Sequence, residues 1–320
     1  MNRRIRVFAP ATVANLGPGF DVLGLALSRP GDELEAELSD SPGVEIVEVT
    51  GDGGHLSRDP QRNVAGRAAN DVLRRTNARQ GVRLWLHKQM PLASGLGSSG
   101  ASSAAGAVAV NELLGRPLDQ AAVVLSAMEG ERAASGTPHA DNVAPSVMGG
   151  IVLIRSYDPF EAIALPVPER LHIAVVHPHC KVSTADARRL VKERTYSLDL
   201  IVPNIGNAAA LVAGLYRSDL PLLGRSIDDR VIEPLRATLI PGFAAVKAAA
   251  LNAGALGCSI AGSGPSVFAL SDDHAAAQKV GEAMQAAFHT TANLTSDLYV
   301  GRVSPAGARV VEHAASAIDR

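Results

Sequence analysis

Runs of apolar residues along the chain, some alternating with polar ones, predict short strands separated by helices. In the first half, strands are predicted at 4–8, 33–38, 44–49, 82–86 and 151–155. Helical periodicity covers 63–76, about 101–114 and about 119–134. Because strands and helices are interleaved, we expect an α+β fold.

The second half of the chain shows the same mixture of elements. Strands are predicted at 172–177 and 266–271, and helices around 184–194, 202–216, 242–252 and 274–288. Residues 157–168 contain prolines and little periodicity, so we expect a domain boundary there. A chain of 320 residues, at ~100–200 residues per domain, predicts two domains, divided as 1–160 and 161–320.

Composition narrows the class of protein. Apolar residues make up 47% of the chain and aromatic residues 3%, so the core must be built mainly from Ala, Val and Leu. A net charge of −2 leaves no basic stripe for nucleic acid. Cys180 and Cys258 form no metal or redox spacing, which is typical of a reducing cytoplasm. No signal-like segment or apolar run of ~18 residues is present, so we expect a cytoplasmic protein without a membrane partner.

A loop of small residues, PLASGLGSSGA, covers positions 91–101. Gly95 and Gly97 can adopt backbone conformations that other residues avoid, and serine hydroxyls follow them. The next helix, expected to begin near Ala101, presents N–H groups and the positive end of its dipole. A phosphate-binding loop is therefore favoured over a simple turn that caps a buried helix. Nucleotide contacts are expected from Pro91, Leu92, Ala93, Ser94, Gly95, Leu96, Gly97, Ser98, Ser99, Gly100 and Ala101.

The same loop fits the Gly-x-Gly-x-x-Gly pattern of dinucleotide-binding proteins. That pattern requires a strand running directly into the first glycine and an acidic residue about 20 positions later. Here residues 87–91 separate the predicted strand from Gly95, and Asp119 is expected to be a helix N-cap. The Walker A ending Gly-Lys-Ser/Thr is also missing. A nucleoside triphosphate held by another kind of loop is favoured over NAD.

Three separated segments resemble the signature motifs of the GHMP small-molecule kinases. They are residues 10–21 (PATVANLGPGFD), the loop 91–101, and residues 261–268 (AGSGPSVF). The segments 138–145, 183–188 and 234–243 resemble the branch of that family that acts on homoserine. The resemblance covers nearly the whole chain, in order. One departure is Gly100, where many relatives carry alanine.

The resemblance implies two α+β domains, the first like ribosomal protein S5 domain 2 and the second ferredoxin-like, with the active site between them. It implies transfer of the ATP γ-phosphate, with Mg²⁺, to the hydroxyl of L-homoserine for threonine synthesis. A related kinase acting on mevalonate or shikimate is the near alternative. A dinucleotide-dependent oxidoreductase and a catalytically silent sensor are the distant ones. Whether the chain forms a homodimer stays open.

The matched motifs imply roles for single residues. Asn15 and Asp21 are assigned to the ammonium or hydroxyl of the substrate, with an ordinary Gly/Asp turn as the alternative. Arg188 and Arg236 are assigned to its carboxylate, because a guanidinium binds a carboxylate through two parallel hydrogen bonds. The same pocket is expected to include His139, Asp141 and Thr184.

Glu131 is expected near the C-terminal end of its helix, where a carboxylate opposes the helix dipole at a cost of ~0.3–1 kcal/mol. A magnesium ion shared with the Ser99 hydroxyl would offset that cost, and an ion pair with Arg132 is the alternative. Asn63 is either a plain helix N-cap or an adenine contact.

The last expectation concerns the proton of the substrate hydroxyl. In kinases that resemble mevalonate kinase, an aspartate about eleven residues after the metal glutamate removes it, and here that spacing from Glu131 reaches Asn142. An amide can orient the hydroxyl but cannot take its proton. We therefore expect Asn142, Glu131 and Ser99 to support catalysis by positioning and charge stabilisation, with no general base. Asp141 as the base is the alternative.

Overall fold

The computed structural model describes residues 4–135, 139–192 and 194–314, so Pro138 of the 138–145 motif lies outside the described residues. The strands are β1 Arg4–Ala14, β2 Leu23–Ser39, β3 Val44–Thr50, β4 Gly81–His87, β5 Ile151–Tyr157, β6 Phe160–Leu165, β7 His172–Pro178, β8 Gly257–Ile260, β9 Val267–Ser271, β10 Ser296–Arg302 and β11 Arg309–Ala314. The helices are α1 Val64–Arg75, α2 Ser98–Leu113, α3 Gln120–Ser135, α4 Ala140–Met148, α5 Thr184–Lys192, α6 Leu198–Arg217, α7 Leu220–Ser226, α8 Glu233–Arg236, α9 Phe243–Asn252 and α10 His274–Ala292.

The first sheet is built around the long antiparallel pair β1 and β2. Within the described residues its strand order is β11-β1-β2-β4-β3, with β5 paired to β2 and β6 paired to β5. Strand β2 is long enough to change partners, because residues 33–39 pair with β4 and residues 23–25 pair with β5. The register between β1 and β2 shifts between Pro10 and Thr12. Such an irregularity bends a strand, here next to the phosphate loop.

Helix α2 packs against β1 and β2 and is surrounded by α1, α3 and α4. Every residue from Gly100 to Asn111 is buried. Only small side chains allow such close packing: a Cβ atom at Gly106 would lie 2.5 Å from the carbonyl oxygen of Ala65 on α1. The core around α2 is therefore built from small side chains, as the low content of aromatic residues predicts.

The second sheet has the strand order β10-β7-β9-β8, and all its pairs are antiparallel. Helices α9 and α10 pack against one face. Alternation along the strands divides their side chains between two cores: Val175 and Phe268 join the core of the first sheet, while Val176 and Val267 pack with α9 and α10. This β-α-β-β-α-β arrangement is ferredoxin-like, as predicted.

Some predicted boundaries and elements need correction. Helix α2 begins at Ser98 rather than near Ala101, because Gly97 takes a left-handed φ of 65° and is its N-cap. Several elements were not predicted at all, namely β6, β8, β10, β11, α4, α7 and α8. Helix α4 forms despite Pro145 within it. Strands β10 and β11 are held by partners distant in sequence.

The division at residue 160 stays a prediction, and the strand pairing bears on where it falls. Strand β6 continues the first sheet, and β11 returns from the C-terminal end of the described chain to pair with β1. A first unit that extends to Leu165 and includes Arg309–Ala314 fits this pairing better than a single cut.

Helix α6 is apolar for its length. Among the described residues it is the one helix long and apolar enough to cross a membrane, with a mean hydropathy of 1.5, although length and composition alone are weak evidence. Its polar side chains attach it to the fold: Asn204 donates to the Pro18 carbonyl at 3.3 Å, and Asn207 donates to the Asp228 carbonyl at 2.8 Å.

Candidate active site

A cavity of about 570 Å³ lies between the two halves of the molecule. The phosphate loop and the first turns of α1 and α2 line one side, together with Glu131 from α3. The start of α4 and residues of the second half, among them Thr184, Arg188 and Arg236, line the other side. The structure therefore gathers in one cavity residues that lie up to 249 positions apart, from Ala14 to Ser263.

The phosphate loop is tightly enclosed. Gly95 and Gly97 have φ angles of 82° and 65°. A Cβ at Gly95 would lie 2.6 Å from the Ala261 carbonyl oxygen, and one at Gly97 would lie 2.0 Å from Thr12 Oγ1. Both conformation and space therefore require glycine at these positions. The motifs 10–21 and 261–268 meet the loop at these contacts.

Part of the predicted loop faces the cavity, and part supports it. The lining residues of the loop are Leu92, Ala93, Ser94, Gly95, Gly97, Ser98 and Ser99. Pro91, Leu96, Gly100 and Ala101 do not line it. Leu96 and Ala101 are fully buried in the core, and a Cβ at Gly100 would lie 3.3 Å from Asn142 Cβ. Leu96, Gly100 and Ala101 are buried and support the loop from behind.

Glu131 and Ser99 come together as predicted. The Ser99 side chain hydrogen-bonds the Glu131 carboxyl group, and burial raises the pKa of Glu131 to about 6. Arg132 pairs with Glu129 instead, at 3.3 Å. A carboxylate and a hydroxyl oxygen are the ligand types that Mg²⁺ prefers, so these two side chains fit a magnesium site.

A buried ion pair that the sequence analysis missed lies under the start of α2. Lys88 Nζ bonds Asp32, and it also donates to Ser98 Oγ at 2.7 Å and Ser102 Oγ at 2.9 Å. The Lys88 and Asp32 side chains are 1% and 0% exposed. The alternation of the strands could have indicated this pair. Lys88 continues the series of inward-facing positions of β4, and Asp32 belongs to the inward-facing series of β2.

The side of the cavity lined by α4, Arg188 and Arg236 contains a cluster of charged side chains. Arg188 donates three hydrogen bonds to the two oxygens of the Asp21 carboxylate, at 2.8, 2.9 and 2.9 Å, and another to His139 Nδ1 at 3.1 Å. Burial and the Arg188 charge lower the pKa of His139 to about 4, so the ring is neutral and accepts this bond. The structure thus brings together Asp21, His139 and Arg188, as predicted.

Asp141 lies in the same cluster, where Arg188 and Arg236 act on it only at a distance: within the described ranges it forms no direct ion pair. It is 2% exposed, and its Oδ1 atom has no hydrogen-bond partner within the described ranges. Burial, together with the nearby Asp21 charge, raises the pKa of Asp141 to about 7. This carboxyl group is therefore placed to gain from a cation in the cavity.

Phe20 lies beneath both arginines, and the sequence analysis did not select it. The guanidinium carbons of Arg188 and Arg236 lie 5.4 and 4.8 Å from the centre of its ring. Arg236 also donates to the Gly262 carbonyl at 2.8 Å. Thr184 Oγ1 lies 3.3 Å from Ser263 Oγ at the edge of the cavity. Phe20 stands next to Asp21 in the 10–21 motif, which is the signal that could have identified it.

Asn142 lies against the phosphate loop rather than within the charged cluster. Its Oδ1 atom accepts from Thr12 Oγ1 at 2.8 Å, and a Cβ at Gly97 would lie 2.7 Å from that Oδ1. Asn142 and Asp141 therefore present their side chains to different parts of the cavity, the first to the loop and the second to the cluster.

Two predicted asparagines have structural hydrogen bonds as well as cavity positions. Asn15 accepts from the Asp21 N–H at 3.1 Å and donates to the Gly262 carbonyl at 2.9 Å. Asn63 is the N-cap of α1, since it accepts from the Ala65 N–H at 3.0 Å. Both line the cavity. The structural role expected for each, a turn for Asn15 and a helix cap for Asn63, is therefore present, and it does not exclude contact with a ligand.

Comparisons with known proteins identify the family of the chain. The chain matches the family models "GHMP kinases N terminal domain" over residues 63–150 and "GHMP kinases C terminal" over residues 211–290. It is 48% identical over 315 residues to the homoserine kinase of Chlorobium phaeobacteroides (strain BS1), covering 95% of this chain and 98% of that protein.

Solved structures give the same result for the fold. The crystal structure of homoserine kinase from Cytophaga hutchinsonii ATCC 33406 matches with a TM-score of 0.94 at 50% identity, covering 97% of this chain and 98% of that one. L. major mevalonate kinase in complex with R-mevalonate matches with a TM-score of 0.70 at 18% identity, covering 94% and 95%, which shows the fold alone.

The chain therefore belongs to the GHMP kinases, a family of phosphotransferases that use ATP. Within this family it groups with the homoserine kinases, which its relatives at 48% and 50% identity represent. The predicted two-domain GHMP kinase fold and the kinase class are confirmed.

Proposed function

We propose that this chain transfers the γ-phosphate of ATP to the side-chain hydroxyl of L-homoserine, giving O-phospho-L-homoserine. The observation that carries the proposal is the single cavity in which a phosphate loop faces a cluster of two guanidinium groups and two carboxyl groups. The similarity of the chain to homoserine kinases over nearly its whole length supports homoserine as the substrate.

The charged cluster suits an amino acid better than a simple alcohol. The carboxylate of homoserine can replace Asp21 as the partner of Arg188, and its ammonium can replace Arg188 as the partner of Asp21. Asp141 adds a second carboxyl group for the ammonium, and that cation would lower its pKa and favour its ionised form. Mevalonate and shikimate carry no ammonium, so they would offer no cation to Asp21 and Asp141.

The opposite end of the cavity suits ATP. Ser98 and Ser99 of the first turn of α2 line the cavity, so the unpaired N–H groups of that turn would bind phosphate, as at other helix N-termini that bind anions. Ser99 and Glu131 would hold Mg²⁺, which would neutralise charge on the transferring phosphate. Asn63, beside Leu56 and Ser57 at the far end, would contact the adenine.

Asn142 lies between the two ends and is suited to orient the attacking hydroxyl. Its Oδ1 is fixed by Thr12, so its Nδ2 is left to donate toward the cavity. Phosphoryl transfer through a loose transition state depends chiefly on positioning and charge stabilisation, so the hydroxyl proton can leave late. Asp141, with a pKa of about 7, is the competing candidate for a base.

An acceptor panel tests the proposal. ADP release from Mg-ATP is measured with L-homoserine, mevalonate, shikimate and no acceptor, and the product is identified by ³¹P NMR. We expect homoserine-dependent ADP release with one new phosphate monoester. Turnover with mevalonate or shikimate alone would contradict the proposed substrate, and tight NADH binding without ATP binding would contradict the kinase mechanism. A cytoplasmic location and the lack of membrane and nucleic-acid partners stay predictions.

A further inference from the structure

The Lys88–Asp32 pair occupies positions where strands normally place apolar side chains. Val82, Leu84 and Leu86 of β4 are buried, and Lys88 follows at the same parity. Asp32 likewise shares the inward parity of Leu34 on β2. Replacing a buried ion pair by apolar residues is often neutral or stabilising, so stability alone gives little reason for a pair here.

The hydrogen bonds of the pair reach both ends of the phosphate loop. Asp32 Oδ1 accepts from the backbone N–H groups of Gln89 and Met90, at 3.0 and 3.2 Å, where the loop begins. Lys88 Nζ donates to the carbonyl oxygen and Oγ of Ser98, at 3.0 and 2.7 Å, where the loop becomes helix α2. The pair is therefore a bridge across the base of the loop.

Lys88 and Ser102 line the cavity, but the donor count leaves the Lys88 ammonium no free proton for a phosphate. An ammonium group has three protons, and Lys88 Nζ already has four acceptors on Asp32, Ser98 and Ser102. Because Ser98 Oγ accepts from this ammonium, its own proton is directed elsewhere. Ser98 lines the cavity, so that proton can be donated to an anion there.

We propose that Lys88 and Asp32 are positioning residues for the nucleotide: the pair sets the shape of the phosphate loop and makes the Ser98 hydroxyl a donor to the triphosphate. The proposal rests on the proposed function for the identity of the nucleotide. It deepens that function by assigning ATP affinity to a bridge of hydrogen bonds behind the loop.

Ser102→Ala is the mildest test, because it removes one hydroxyl from the bridge and leaves both charges paired. Ser102 Oγ also donates to Asp32 Oδ2, at 3.1 Å. Ser103→Ala is the matched control: Ser103 is fully buried on the same helix, and in the part of the chain described here its Oγ has no hydrogen-bond partner. We expect Ser102→Ala to raise the KM for ATP about tenfold, as for loss of a charge-assisted bond, with the homoserine KM unchanged. Ser103→Ala should change neither.

The charges are tested by Lys88→Met, Asp32→Asn and the double variant. Each single change leaves a lone buried polar or charged group, so the Tm should fall in both. The double variant removes both charges, and we expect its Tm to recover while its affinity for ATP stays low. Recovery of both together would mean that the pair has a purely structural role and would overturn the proposal.

Affinity is measured by equilibrium titration with a fluorescent ATP analogue and Mg²⁺, without acceptor. This readout separates the positioning role from the choice of substrate. If wild-type protein turns over another alcohol but the Ser102→Ala loss of affinity is found, the proposed function fails and the positioning role stands. An unchanged affinity in Ser102→Ala rejects the positioning role even if homoserine is the substrate.

Discussion

The two ends of the cavity are built on different principles. At the nucleotide end, the polar groups behind the loop satisfy one another: Asp32 alone binds Lys88, Ser102 and two backbone N–H groups. At the substrate end, Asp141 is buried with a raised pKa, and Arg188 is held by Asp21. The first region is prepared before the ligand arrives. The second holds charges that the ligand itself would compensate.

This difference matches the two ligands. A triphosphate is recognised mainly through backbone N–H groups, which require a rigid loop and tolerate no misplacement. An amino acid carries both a cation and an anion, so its pocket can store complementary charges as an internal pair until the substrate separates them. Variants at one end should therefore leave the KM for the other ligand unchanged.

The largest effect is expected at the nucleotide end, from Glu131→Gln. Loss of a metal carboxylate should lower kcat by about 10²-fold or more and raise the Mg²⁺ concentration for half-maximal rate. Glu129→Gln is the control, since Glu129 pairs with Arg132 instead. Rates measured across a magnesium titration give the answer. An unchanged magnesium dependence in Glu131→Gln, and likewise in Ser99→Ala, would remove both residues from the metal site.

The boundary between the two ends is tested by Asn142→Ala. We expect kcat to fall by about 10²-fold, because the attacking hydroxyl loses its orientation. Asp141→Asn should retain single-turnover phosphoryl transfer with an unaltered pH profile. If Asp141→Asn instead removes the acidic limb of the profile and loses more than the ~10²–10⁴-fold typical of a general base, Asp141 is the base.

At the substrate end, Arg188→Lys keeps the charge but loses the two-pronged geometry. We expect a ten- to hundredfold loss in kcat/KM for homoserine, from ~1.5–3 kcal/mol of charge-assisted bonding. The neighbouring Arg189, which pairs with Asp186 at the surface, gives Arg189→Lys as the control. Arg236→Lys is expected to behave like Arg188→Lys. A raised KM for ATP with normal homoserine kinetics would assign these arginines to the nucleotide end.

The smallest effect concerns the stored charge of Asp141. Its pKa is raised to about 7 in the folded protein, against ~3.9 in an unfolded chain. The stability this provides is fully present below pH ~4 and is lost as the pH rises through about 7. Asp141→Asn should flatten this part of the pH dependence, so that the Tm of the variant changes less than that of the wild type between pH 4 and pH 8. If wild type and Asp141→Asn have identical Tm profiles between pH 4 and 8, the ionisation of Asp141 does not affect stability.

Local patterns in the sequence were enough to identify some of these features. Small residues at 91–101 exclude most structures other than a tight loop before a buried helix, so the phosphate loop was predictable. The resemblance to the GHMP kinases also implied roles for Asp21 and Arg188, and the position of Glu131 near the end of its helix singled out that carboxylate; the structure brings all three to the cavity. Their roles stay predictions. The loop residues that only support its shape, such as Leu96, could not be separated from those that face the ligand.

The tertiary structure alone decided how distant residues share their bonds. The Lys88–Asp32 bridge joins β2 to the residue that follows β4, 56 positions away, and the Arg188–Asp21 pair joins the two halves of the chain across 167 positions. Strand β11 reaches its partner only because the chain returns to the first sheet. Local sequence determines which backbone shapes and side-chain chemistries are available. Which charges meet, and which stay buried without a partner, depends on long-range packing that no local pattern encodes.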